Sequence, residues 1–163
     1  MQNLAAMLGY EFRDEGLLSR ALSHPSLGKE GSNQRLEFLG DAVLGLVVAE
    51  MLYALYPTEQ EGELARRLAA LVRGETLAQA ARDIGLGEVI KMSASEAASG
   101  GREAASNLED AMEALIGALY LDGGIEAAKA FILPRWEKLA ATLASPPKDA
   151  KTSLQEWATK SAM

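Results

Sequence analysis

The chain has 163 residues, 48% hydrophobic and 24% charged, which suits one globular domain with a short appendage. Acidic side chains outnumber basic ones 23 to 16, and the net charge of −7 argues by itself against a surface built to grip a phosphate backbone. The absence of cysteine excludes disulfides and thiolate zinc sites.

Leu and Ala dominate while β-branched and aromatic residues are few, a bias toward helix. Residues 4–8 begin a short helix that Gly9 ends. Asp14 caps a helix carrying Leu17, Leu18, Ala21 and Leu22, stopped by Pro25. Residues 28–32 read as a polar loop. Asn33 then opens a long helix running to about Tyr56, before Pro57. Its Leu36, Phe38, Leu39, Val43, Leu44, Leu46, Val47 and Leu52 point to nearly all sides, as in a helix at the centre of a bundle. The most apolar stretch, residues 42–49, ends at Glu50 and is too short to span a bilayer, and the N-terminus has no signal-type apolar run. A cytoplasmic protein with no membrane partner is the expectation.

Residues 62–72 and 76–84 read as two further helices, with Gly74 between them and Gly85 as a stop. Residues 91–102, rich in Ser, Ala and Gly, read as a loop. A second strongly apolar helix covers 106–121 and closes at Gly123-Gly124; another covers 125–143, with Pro134 as a kink or break. Pro146-Pro147 marks a linker, and 151–160 predicts one last helix. No segment reads as a strand, so the fold class is all-α. The division is 1–145 for the main domain and 146–163 for linker and appendage.

Two acid pairs interrupt the two most apolar helices. Glu37 and Asp41 lie four positions apart, sharing a face about 6 Å apart along the axis. Asp110 and Glu113 lie three apart and again share a face. Each stripe continues into glycine, Gly45 in the first and Gly117 in the second, where another backbone could approach closely. Acids at helical spacing are usually a solvated face. Facing each other, these four would repel, and an all-oxygen set without His or Cys suits Mg²⁺, with Mn²⁺ as substitute.

The segment Asn33 to Leu44, NQRLEFLGDAVL, closely resembles the signature of the ribonuclease III family. Support follows in chain order. Residues 21–26 (ALSHPS) resemble an early family stretch, 61–64 (EGEL) with Leu71-Val72 a second, Ser99-Gly100-Gly101-Arg102 its glycine loop, and 110–117 (DAMEALIG) its second acidic helix. Residues 148–156 (KDAKTSLQE) resemble the opening of its double-stranded RNA-binding domain, which here stops after one helix at Met163, as in a trimmed chain.

The resemblance implies a metal-dependent, homodimeric endonuclease of double-stranded RNA acting in rRNA and mRNA processing, leaving 5′-phosphate and 3′-hydroxyl ends. Glu37, Asp41, Asp110 and Glu113 match the metal-binding acids, with Asp41 and Glu113 as the catalytic carboxylates. Phe38 matches an aromatic that packs into the partner subunit. Thr152 and Gln155 match RNA-contacting positions, and Arg102 in the glycine loop is an RNA-contact candidate. Gln34 departs from a common family glutamate outside the four-acid set. His24 is expected to pack or hydrogen-bond at a helix end, Trp136 and Trp157 to pack, and Arg66, Arg67 and Arg73 to line an RNA path or form a solvated, salt-bridged face. The alternatives are a non-catalytic RNA-binding module of the same fold and a helical interaction protein.

Overall fold

The computed structural model describes residues 2–143, 145–147, 155, 157 and 158. The elements are α1 (Gln2–Leu8), α2 (Glu15–Ala21), a 3₁₀ turn (Pro25–Leu27), α3 (Gln34–Leu55), α4 (Glu61–Leu71), α5 (Gly74–Asp83), α6 (Leu86–Val89), α7 (Ala94–Ala98) and α8 (Ala105–Ala141). Among the described residues there is no strand, only one isolated bridge between Ser23 and Lys91. The all-α expectation holds.

Local chemistry explains most boundaries. The Asp14 carboxylate accepts from the Gly16 N–H at 2.8 Å and starts α2. Gln60 and Glu63 form a reciprocal capping box at the start of α4. Asn33 occupies the N-cap of α3, although its side chain makes no capping hydrogen bond. The stretch expected to be loop contains α7, because the Ser93 hydroxyl accepts from the Glu96 N–H at 3.2 Å and caps one short turn. The four-residue α6 was not foreseen; it is too short to show a periodicity.

The last long element, α8, breaks at Gly124 (φ 71°, ψ −170°), as the glycine pair suggested, and not at Pro134, through which the helix continues. Just before this break, Asp122 accepts from the Tyr10 hydroxyl (2.7 Å) and from the N–H groups of Arg13 (2.9 Å) and Asp14 (3.0 Å), fastening the N-terminal segment.

The core lies where α3 crosses the first half of α8, with α5 and α2 against α8 and α4 against α3. Residues 111–119 are buried without interruption, so this part of α8 has neighbours on every side. Trp136 is fully buried and donates its indole N–H to the Leu71 carbonyl at 2.8 Å, the packing role expected of it, whereas Trp157 is exposed. The α3 helix, 22 residues long, is apolar enough to cross a membrane by length and composition, so its apolar run is longer than the sequence reading allowed. In this fold one side of it is covered: Leu36, Val43, Leu44, Val47, Val48, Met51 and Leu52 are buried, while Phe38, Leu46, Tyr53 and Leu55 are exposed.

The two central helices touch backbone to backbone. A Cβ placed on Gly40 would overlap the Glu113 carbonyl, and one on Gly117 would overlap the Leu36 carbonyl and lie 3.1 Å from the Gly40 nitrogen. The close approach is therefore Gly40 with Gly117. Gly45, expected to serve it, has nothing within 4 Å of its Cβ position.

Candidate metal centre

The Gly40–Gly117 crossing determines which acids converge. Glu37 lies in the first turn of α3, while Asp110 and Glu113 lie on the buried half of α8. One carboxylate oxygen from each of these three comes within 4.8 Å of the others. Opposite ligands of an octahedral Mg²⁺ stand about 4.2 Å apart, so a gap of this size is on the scale of one small divalent cation. Asp41 is exposed at the rim and is not among the three.

Burial makes the cluster unfavourable without a counter-charge. Glu113 is only 8% exposed and its carboxylate makes no hydrogen bond to the described residues. Burial, reinforced by the charges of Asp41, Glu109, Glu37 and Asp110, pushes its carboxyl up to about 8. Glu37 is raised by burial first, then by Asp110, Glu109 and Asp41. Asp110 is raised by burial, countered by the nearby His24. Three acids held above their ordinary range, one of them buried and unpartnered, fit an oxygen-binding divalent cation.

His24 does not enter this cluster. Its Nδ1 accepts from the Ser26 N–H (3.0 Å), which leaves Nε2–H to donate to the Asn107 side-chain oxygen (3.1 Å). Asn107 in turn donates to Glu96 (3.0 Å) and to the Gly101 carbonyl (2.9 Å). The histidine thus ties the 3₁₀ turn to the glycine loop, the hydrogen-bonding role expected of it.

A profile described as Ribonuclease-III-like matches residues 14–138. The chain belongs to the ribonuclease III family. This ribonuclease III domain is 54% identical over 153 residues to Ribonuclease 3 of Anaplasma phagocytophilum, covering 92% of the chain and 65% of that relative. It is 48% identical over 160 residues to Ribonuclease 3 of Wolbachia pipientis from Culex pipiens, covering 94% and 70%. It therefore spans about two thirds of the length of these curated relatives. The nuclease domain of ribonuclease III from Campylobacter jejuni, described for structural flexibility in a region involved in dimer formation, superposes with a TM-score of 0.82 at 47% identity, covering 84% of this chain and 96% of that one.

Outside the acid cluster of this ribonuclease III domain, the remaining site expectations divide. Phe38 is 81% exposed on α3. It lines a groove of about 830 Å³ together with Leu17, Arg20, Arg35, Leu39 and Leu121. Arg102 points inward, its Nη1 donating to the carbonyls of Gly87 (3.0 Å), Glu88 (3.2 Å) and Ile90 (2.9 Å). That guanidinium closes the end of α6, so the RNA contact expected of it gains no support. Arg67 is likewise neither solvated nor on an open path. It is buried, paired with Glu59 at 2.6 Å, hydrogen-bonded to the Leu143 carbonyl at 2.7 Å and stacked 3.9 Å over Tyr56. Arg73 is exposed and lies 3.6 Å from Glu75. Gln155 is helical and exposed, and Thr152 lies outside the described residues.

Sequence reasoning passed over Glu109. It is part-buried and raised by burial and by the charges of Asp110 and Asp41. The signal was available, since Glu109 and Glu113 are four positions apart, the same spacing as Glu37 and Asp41.

Proposed function

We propose that this chain is the catalytic part of a metal-dependent endoribonuclease that hydrolyses double-stranded RNA in rRNA and mRNA processing, leaving 5′-phosphate and 3′-hydroxyl ends. The observation that carries the reading is the convergence of Glu37, Asp110 and Glu113 within 4.8 Å, with Glu113 buried and unpartnered. Glu37, Asp110 and Glu113 hold Mg²⁺, or Mn²⁺ in its place. Asp41, on the exposed rim, completes the set where an RNA backbone would arrive. When bound, the cation supplies Lewis-acid polarisation of a phosphate oxygen and activation of a water.

The residues do the rest. Asp41 and Glu113 are the catalytic carboxylates: Glu113 is buried and would help hold the cation, and Asp41 faces solvent, where it can orient an attacking water and receive its proton. The Gly40–Gly117 contact fixes the spacing of the two acid-bearing helices. Recognition reads A-form shape more than base identity.

The working unit is a homodimer in which exposed Phe38 inserts into the partner's groove beside Leu39 and Leu121. Residues 1–145 form the catalytic domain; 146–163 begin an RNA-binding domain, to which Thr152 and Gln155 contribute RNA contacts. On its own, an acidic catalytic domain binds RNA weakly and with strong salt dependence. The protein works in the cytoplasm.

The test is cleavage of a long RNA duplex with Mg²⁺, with EDTA, and with Glu113→Gln. Cutting that needs Mg²⁺ and is lost in Glu113→Gln supports the assignment. Duplex binding without any cutting by the metal-loaded dimer favours a non-catalytic module of the same fold.

A further inference from the structure

We propose that Glu109 is a fifth acid of the metal centre, given room by the side-chain-free first residue of α5, Gly74, and placed to bind the outer hydration shell of the cation. This inference rests on the metal-centre reading above and adds a positioning residue to it.

Two features place Glu109. On α8 it lies one turn before Glu113, on the same face, so it borders the cluster. Its carboxylate also lies against Gly74: a Cβ built on that glycine would come within 2.8 Å of the carboxyl carbon and 2.9 Å of one oxygen, and nearer still to the other. Gly74 is helical, so no unusual backbone angle calls for glycine there. What the missing side chain provides is room for the acid.

The chemistry of Glu109 is unused inside the protein. Among the described residues it makes no hydrogen bond and no ion pair. The guanidinium of Arg73, the residue before Gly74, is exposed and lies 3.6 Å from Glu75. A part-buried, unpaired carboxylate beside four other acids is unfavourable unless a cation lies close. Glu113, buried in the same cluster without a hydrogen bond to the described residues, calls for the same cation. Because Glu109 is not one of the three acids within 4.8 Å, it acts through water and not as a direct ligand.

The experiment is Mn²⁺ titration of the intact chain by calorimetry, paired with thermal unfolding in EDTA. Glu109→Gln weakens Mn²⁺ binding roughly tenfold, the scale of an outer-shell partner. Gly74→Ala weakens it comparably by displacing the flexible acid, while its melting temperature in EDTA stays at or above that of the parent, since Ala favours helix. The double variant binds no more weakly than either single one. Unchanged affinity in Glu109→Gln overturns the fifth-acid role, and additive losses in the double variant overturn the role of Gly74. Glu113→Gln separates this inference from its foundation. If that variant also binds Mn²⁺ like the parent, the metal centre itself is wrong; if it alone weakens binding, only Glu109 is misassigned.

Discussion

Gly40 and Gly117 meet at the crossing of α3 and α8 so closely that a Cβ on Gly117 would lie 3.1 Å from the Gly40 nitrogen. On Gly40 a methyl group would collide with the Glu113 carbonyl, which is backbone and cannot turn aside. Gly40→Ala is therefore expected to cost about 3 kcal/mol of stability, or more, by forcing the helices apart. Gly45→Ala, with open space around it in the interior of α3, is expected to raise stability by up to about 1 kcal/mol. Urea denaturation of both variants checks the contrast.

The metal-free protein should lose stability as pH rises. Folding raises the Glu113 carboxyl from its ordinary value of 4.5 to about 8, so the folded state holds this proton more tightly than the unfolded state does. Below pH 4.5 both states are protonated and the group costs nothing. Between 4.5 and about 8 the penalty grows, and above 8 it is constant. Glu37 and Asp110 are raised too and steepen the lower part of the slope. Melting temperatures in EDTA should fall across this window, and Glu113→Gln should flatten the decline.

Cation binding should release protons for the same reason. At pH 7 the Glu113 carboxyl is mostly protonated in the metal-free protein, and it must ionise to serve as a ligand. Mn²⁺ affinity is expected to rise from pH 6 to pH 8. Calorimetry at pH 7 in buffers of different ionisation enthalpy should report release of about one proton per cation. A pH-independent affinity would show that Glu113 is not a ligand.

Phe38 exposes 81% of its surface although it is large and apolar, and Leu46, Tyr53 and Leu121 are also exposed. A change at Phe38 removes few contacts within the chain. Phe38→Glu is expected to shift sedimentation toward the monomer while the helical circular dichroism stays at the parent level. A dimer as tight as the parent's would move the interface elsewhere.

The sequence made α3 and the first half of α8 legible because both are apolar around most of their circumference, and it exposed the acids by their spacing. It misjudged which line of α3 makes the contact. Leu36, Gly40 and Leu44 form the buried row, and Glu37, Asp41 and Gly45 lie one residue further round, about 100° away. That offset leaves Glu37 at the edge of the crossing and turns Asp41 outward. Only the crossing itself selects the row, and no local pattern states it. Arg67 was unreadable for a related reason: its carbonyl partner, Leu143, is 76 residues away. Arg102 sits in a glycine-rich stretch whose composition suggested exposure, but the carbonyls at the end of α6 draw it inward.

The burial of α3 by α8 bears on synthesis of the chain. Residues 34–55 form a helix apolar enough to resemble a membrane span, and their main cover, the first half of α8, is encoded some 70 residues later. At roughly 5–20 residues per second, the ribosome leaves this surface uncovered for several seconds. Until α8 emerges, the apolar side of α3 lacks its main partner within the chain, so this core forms only late in synthesis.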